Sequence, residues 1–287
     1  MKLRYTKELT SNGIPIKVHA ISTGYVSVKK RFRESRYKGI FALLDFLIDK
    51  EFTEWMPIWV WVVEHPEGIF LIDTGENSNV NDKDYFKPAG WFNNWVNTSQ
   101  FKFKVSRADE VDQQLALLGI QTTAINTVIL THRHLDHVDG LKYFQHATTL
   151  IHRIENEKSQ GDLPHLYPKN FKPTLVDLEE SFHHFPKSKT LTKTGDLRLI
   201  HTPGHTHGHC SISLQTDEGL IFFAGDVSYH QAAILNDKYA GADVDIKATK
   251  QTYKNVKATA KATKLIYLPS HDSEAGERLI KMSALLE

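Results

Sequence analysis

The run Thr131-His132-Arg133-His134-Leu135-Asp136-His137 sets three histidines and a carboxylate within a few residues, directly after the apolar stretch Thr127-Val128-Ile129-Leu130. Neutral imidazole and carboxylate are the ligands that zinc and similar borderline metals prefer. Alternation along an extended loop places His132 and His134 on one side, with Asp136 and His137 after the turn, so one short segment could serve two adjacent ions. Three further pieces follow. Pro203-Gly204-His205-Thr206-His207-Gly208-His209 comes after the strand-like Leu197–His201. Phe222-Phe223-Ala224-Gly225-Asp226 ends an apolar strand at a carboxylate, and Leu265-Ile266-Tyr267-Leu268-Pro269-Ser270-His271 ends another at a histidine. Each puts a candidate ligand at the C-terminal end of a strand, where open α/β sheets carry their sites.

A histidine by itself says little in a chain that has 16 of them. Chance does not readily place H-x-H-x-D-H after one strand and three more ligands at the ends of others. A closed structural zinc site would draw on four ligands rich in cysteine, and this chain has one cysteine. Two neighbouring metals lower the pKa of a shared water to near neutral, so that hydroxide can attack a carbonyl while the metals stabilise the oxyanion. That chemistry is hydrolysis, and it leaves the substrate open.

In their order from Asp73 to His271, these motifs resemble the metallo-β-lactamase superfamily of dinuclear metal hydrolases. The resemblance implies that His132, His134 and His205 hold one metal and that Asp136, His137 and His271 hold the other, with Asp226 bridging them. Asp73, in Leu71-Ile72-Asp73-Thr74-Gly75, matches the family's first motif and is implied to orient ligands from behind. The implied cofactors are two divalent ions, zinc foremost, although nitrogen and oxygen ligands also admit cobalt, manganese and iron. The implied fold is α/β, an αββα sandwich of two mixed sheets flanked by helices, as one domain over residues 1–287.

Tyr229 stands three residues past Asp226, and the stretch from Pro203 to Ser211 leads into Cys210; both resemble the N-acyl homoserine lactonase branch. There the phenol donates a hydrogen bond to the substrate carbonyl or oxyanion. The plain alternative is a tyrosine at a helix start, packed on the sheet. The expected reaction is opening of the lactone ring, with quorum quenching as the implied role. Asp136 and Tyr229 are the expected catalytic pair, with Asp136 expected to pass a proton to the leaving alkoxide. The expected partner is a small lactone with an acyl tail. Another lactonase or a glyoxalase II-like thioesterase would use nearly the same ligands, although the glutathione-binding part of the latter has no counterpart here. A β-lactamase proper would place a cysteine among the ligands and lack the bridging carboxylate. A metal-dependent binding module is the non-enzyme reading, against which the full ligand set weighs.

The rest of the sequence must position these groups. Strand and helix patterns alternate, without repeats or low-complexity tracts. Ile14–Val28 reads as paired strands, Pro57–Val63 and Ile69–Ile72 as buried strands around a turn, and Ala108–Leu118 as a helix stopped by Gly119. Thr148–Ile151, Thr174–Val176, Leu197–His201, Ser211–Leu214, Leu220–Ala224 and Leu265–Leu268 read as strands, and Val244–Ala262 and Ser273–Leu286 as helices. Two segments look like additions. A helical insertion is expected near 36–52, either packed on the core, lying over the site or forming a homodimer contact. An aromatic-rich loop near 85–103, with Phe86, Trp91, Phe92, Trp95 and Phe101, is expected either to pack or to grip an apolar tail as a lid.

Composition adds mainly exclusions. The 35 basic and 34 acidic residues leave a net charge of +1, which does not announce nucleic acid. Lys247, Lys250, Lys254, Lys257, Lys261 and Lys264 read as a solvated helix face. No apolar run is long enough to span a membrane. A lone cysteine and an N-terminus without an apolar leader make the cytoplasm the expected location.

Overall fold

In the computed structural model, which describes residues 4–35, 37, 41, 45 and 48–286, two mixed β-sheets face each other with helices outside them. The first sheet holds β1 (Arg4–Ser11), β2 (Ile14–Val28), β3 (Met56–His65), β4 (Gly68–Ile72), β5 (Phe101–Lys104), β6 (Ile125–Ile129), β7 (Thr148–His152) and β8 (Thr174–Val176). Its order is β1-β2-β3-β4-β6-β7-β8, with β5 paired to β2. The second sheet holds β9 (Glu180–Phe182), β10 (Phe185–Thr190), β11 (Leu197–His201), β12 (Cys210–Thr216), β13 (Gly219–Gly225) and β14 (Leu265–Pro269), in the order β14-β13-β12-β11-β10-β9. This is the αββα sandwich expected.

The strands bury both faces, which is why they read as continuous apolar runs. In β3, Trp59, Trp61 and Val63 enter the layer between the sheets, against Leu199, Ile212, Phe223 and Leu268 of the opposite sheet. Val60 and Val62 face the other way, against Val111 and Leu115 of the helix Val111–Ala116. In the second sheet Ile221 and Phe223 point inward, while Leu220, Phe222 and Ala224 pack on Tyr253, Val256 and Ala260 of the helix Ile246–Ala262. Each large side chain so buried contributes about 1.5–3 kcal/mol. The lysine face of that helix points outward as expected, with Lys247, Lys254 and Lys261 exposed. Cys210 is a free thiol buried between the sheets.

Ile14–Val28 is one strand rather than two. Its pairing with β3 shifts register between Ser22 and Tyr25, at Gly24, so the glycine marks a bulge and not a turn. The true hairpin partner is β1, and Asn12-Gly13 makes the connection with φ of 50° and 75°. That is the Asn-Gly signature of a type I′ turn. Residues 85–103 are also more regular than a loop. They form the 3-10 turn Lys87–Ala89, the helix Trp91–Gln100 and strand β5, whose Phe101 and Phe103 are half-buried between exposed lysines. Strict alternation in only four residues was too short to stand out in the sequence. The insertion near 36–52 falls largely outside the described residues. Among the described residues, no helix is long and apolar enough to cross a membrane.

Strand direction positions the site. β4, β6 and β7 are mutually parallel, as are β13 and β14; β11 runs the same way as β13 through two antiparallel steps. Their C-terminal ends therefore open at one edge of the sandwich, carrying Asp73, residues 131–137, Asp226, His271 and the loop 202–209.

Candidate metal centre

All seven candidate ligands meet at that edge. His132, His137, His205, Asp226 and His271 are at most 4% exposed, and His134 and Asp136 are half-buried. Ligand atoms of His132, His134 and His205 lie within 4.8 Å of one another, and so do those of Asp136, His137 and His271. Asp226 stands between the groups. Its Oδ2 is 3.5 Å from His205 Nε2, and its Oδ1 is 3.5 Å from His137 Nε2 and 3.4 Å from His271 Nε2. Asp136 Oδ2 is 3.2 Å from His271 Nε2.

The outward nitrogen of each imidazole decides what the inward one can do. His134 Nε2 lies 2.9 Å from the Gln160 carbonyl, and His271 Nδ1 lies 3.0 Å from the Pro57 carbonyl. A carbonyl only accepts, so these nitrogens carry the protons. Thr131 donates its hydroxyl to Asp73 at 2.8 Å and thus accepts from His132 Nδ1 at 3.0 Å. His137 Nδ1 faces Asp73 Oδ2 at 2.8 Å, and His205 Nδ1 faces Asp243 Oδ1 at 3.6 Å. The inward lone pairs therefore converge: His134 Nδ1 is 3.0 Å from His132 Nε2 and 2.9 Å from His205 Nε2. Three lone pairs that close repel unless a cation stands among them. His137 Nε2 and Asp226 Oδ1 are buried without any hydrogen-bond partner. Buried polar atoms are rarely left so, and the donor set fits two divalent ions of the zinc type.

Charge points the same way. Burial, aided by neighbouring imidazoles, holds His132 and His134 neutral, the latter down to about 3. At His137 burial also opposes the charged form, but Asp73, Asp226 and Asp136 outweigh it and raise the imidazole well above its ordinary range. His271 is raised to about 10, against burial, by Asp226 and Asp136. Asp136 is drawn down to about 2, again against burial, by His137 and His271. The carboxylates thus demand positive charge, and a proton occupies the ligand nitrogen when no metal does.

The supports are specific. Asp73 adopts φ of 61°, a left-handed conformation costing about 1 kcal/mol for a residue with a Cβ. In that pose its carboxylate takes the Thr131 N–H and hydroxyl as well as His137. Gly225 has φ of 58°, and a Cβ there would lie 2.7 Å from His209 Nε2. That nitrogen accepts the Asp226 N–H at 3.0 Å, while His209 Nδ1 faces Thr202. Of the two histidines flanking His205, His209 supports the site directly, whereas His207 offers its carbonyl to His201 at 3.1 Å. Gln160, Asp243 and Glu155, all touching the ligand loops, had no motif to announce them. Their partners come from loops distant in sequence.

Tyr229 is buried, stacks on His271 with ring centroids 5.4 Å apart, and packs with Val26, Val28 and Ile58. Burial first, then the Asp226 and Asp136 carboxylates, push its phenol well above the ordinary value, so it stays a neutral donor. It lines a cavity of about 240 Å³ that also touches His134, Asp136, Asp226 and His271. The rest of its lining is largely apolar and includes Val28, Val96, Phe101 and Phe103, of which Val28, Phe101 and Phe103 pack in one cluster with Tyr229. The helix Trp91–Gln100 turns Asn93, Val96 and Asn97 toward this cavity, whereas Trp91 and Trp95 are 82% and 43% exposed and line none of it. Trp91 and Trp95 are therefore corrected as lid residues, whereas Phe101 of the same aromatic segment does line the cavity; helical spacing puts position 96, not 91 or 95, on the cavity face.

The family model described as the metallo-beta-lactamase superfamily matches residues 53–271. The chain belongs to this superfamily. Among curated superfamily relatives, an N-acyl homoserine lactonase from Bacillus sp. is 28% identical over 224 residues, 76% of this chain and 82% of the relative. An N-acyl homoserine lactone hydrolase, solved with the product N-hexanoyl-L-homoserine at its catalytic metal centre, superposes with a TM-score of 0.73 at 20% identity, over 95% of this chain and 96% of that one. AidC, described as a dizinc quorum-quenching lactonase, superposes with a TM-score of 0.64 at 17% identity, covering 96% and 93%. At such identities the structural likeness speaks for the fold.

Proposed function

We propose that this protein hydrolyses the lactone ring of N-acyl homoserine lactones, and so quenches quorum signals, with two divalent metal ions. The observation that carries the metal centre is the convergence of three imidazole lone pairs beside the two-sided Asp226 carboxylate. His132, His134 and His205 would hold one ion, Asp136, His137 and His271 the other, and Asp226 both, with Asp73 fixing His137. Bound there, two ions supply Lewis acidity and a hydroxide at neutral pH. The lactone class is supported by the curated relative named above and by a cavity whose lining joins His134, Asp136, Asp226, Tyr229 and His271 to largely apolar side chains.

The chain's own residues do the rest. The apolar wall excludes water and takes the acyl tail. Tyr229, neutral and beside His271, donates its hydroxyl hydrogen to the carbonyl oxygen as negative charge develops there. Asp136, lining the cavity from the His-rich loop, takes the proton of the added hydroxyl and passes it to the ring oxygen as the C–O bond breaks. Tyr229→Phe is expected to lower kcat about 100-fold while metal content stays unchanged. Proton release from N-hexanoyl homoserine lactone, beside elemental analysis, checks this; an unchanged kcat would reject the tyrosine's role. If the loaded wild type leaves every acyl homoserine lactone intact yet opens other lactones or thioesters, the substrate class is wrong and the hydrolase stands.

The cavity makes a separate prediction about tail length. Val96→Trp is expected to fill the apolar wall and raise KM for the decanoyl substrate roughly tenfold more than for the butanoyl one. Trp91→Ala should change both alike. A chain-length effect at Trp91 and none at Val96 would reverse the assignment of the helix face.

A further inference from the structure

Glu155 takes no part in the reading above, yet it is a fully buried carboxylate at the site's edge, in the short helix Arg153–Glu157 that follows β7. Its Oε1 accepts the Arg133 N–H at 3.0 Å, and its Oε2 accepts the Thr206 hydroxyl at 2.6 Å. Arg133 sits between His132 and His134, and Thr206 directly follows His205. One carboxylate thus ties the two segments that carry the ligands of one ion. Gly208 presses on the same point, since a Cβ there would stand 2.0 Å from the Glu155 nitrogen. Another tie, Cys210 N–H to the Thr131 carbonyl at 2.9 Å, lies back at the strand ends. Glu155 acts further out, where the imidazoles stand. The ligands of the other ion, Asp136, His137 and His271, hang on Asp73, Pro57 and the helix Leu135–Val138 instead.

Charge is divided in the same way. The His132–His134–His205 group has no carboxylate among its own members and shares Asp226, whereas the other group owns Asp136 as well. Two carboxylates stand behind the first group: Asp243 faces His205 Nδ1 alone at 3.6 Å, whereas Glu155 holds both ligand-bearing segments.

We propose that Glu155 is the positioning residue that sets metal affinity at the His132–His134–His205 site, and at that site selectively. The proposal rests on the two-metal reading above. Residues that orient ligands from behind are commonly worth 10–100-fold in metal affinity.

The test is a titration of metal-stripped protein with cobalt(II) alone, followed by absorption and by elemental analysis after desalting. Wild type is expected to retain two ions. Glu155→Ala should retain one and bind the other about 10–100-fold more weakly. Glu155→Gln keeps the volume and an acceptor for Arg133 but drops the charge. Thr206→Val removes only one arm. Both should weaken the same ion to a smaller degree. In a His205→Ala background Glu155→Ala should cost no further ion, whereas in a His271→Ala background it should remove the one that is left. Equal weakening of both ions by Glu155→Gln and Thr206→Val would mean a general structural role and would overturn the proposal. Unchanged affinities would do the same. A wild type that binds no cobalt overturns the metal-centre reading, and this proposal falls with it; the wild-type titration tells that failure from the others.

Discussion

Asp226→Ala is expected to empty both metal sites and to lower kcat/KM for a lactone by roughly three orders of magnitude or more. The two carboxylate oxygens of Asp226 face the two groups. One oxygen of Asp226 is 3.5 Å from His205, and the other is 3.4 Å from His271. The residue is 4% exposed, so water cannot readily replace it. Its loss also strips His137 and His271 of the carboxylate that most favours their charged forms after Asp73 and burial are counted, and that frees them from the geometry in which they face the ions. Asp226→Asn keeps the shape and the backbone bond to His209 but not the charge, and should fall almost as far. Elemental analysis of both variants, beside proton release from a lactone, checks the prediction. A variant that kept two ions would show that Asp226 bridges nothing.

The second large effect concerns pH. Each proton that a metal must displace makes affinity rise roughly tenfold per pH unit. His271 is raised to about 10 and His137 also upward, so two protons compete with the ion at the Asp136–His137–His271 site across the neutral range. Affinity there should climb steeply from pH 6 toward 9, and far less steeply at the other site, where His132 and His134 are already neutral. Metal-free stability should run the opposite way. A raised imidazole stabilises the fold fully below its unfolded value of about 6.5, and that contribution fades as pH rises through about 10. Asp136 behaves inversely: lowered to about 2, it contributes above its unfolded value and is lost only as pH falls through about 2. The metal-free Tm should therefore fall between pH 6.5 and 10 while the rise in Tm on adding zinc grows. Thermal melts with and without metal at several pH values measure both slopes. A flat metal-free Tm over that window would mean that the imidazole–carboxylate pairs do not form.

These expectations draw unequally on sequence and structure. The ligand types were legible because each ends an apolar strand, and strand ends are local. Val128-Ile129-Leu130 before His132, Phe222-Phe223-Ala224 before Asp226 and Tyr267-Leu268 before His271 announce themselves without knowledge of the fold. The two-layer architecture was legible for a similar reason: strands buried on both faces leave no polar alternation, and helices must cover them. The hairpin Asn12-Gly13 was also written in the chain, yet the bulge at Gly24 mimicked a turn and hid it. The aromatic segment misled because its rings are spaced at both 3 and 4 residues. Only packing decides which side of such a helix faces inward, and here Val96 does while Trp91 meets solvent.

What the sequence by itself determined is an inventory: which groups are chemically able to bind metal and which strands deliver them. What the tertiary structure decided is orientation. The tautomers of His134, His271, His132 and His137 follow from Gln160, Pro57, Thr131 and Asp73, partners that lie up to 214 residues away in sequence. The tie between the loops of His132 and His205 runs through Glu155, which no spacing rule singles out. The physical reason is range. Hydrophobic periodicity and ligand chemistry are properties of neighbours along the chain, whereas a buried polar group finds its partner wherever the packed sheets bring one within hydrogen-bond reach.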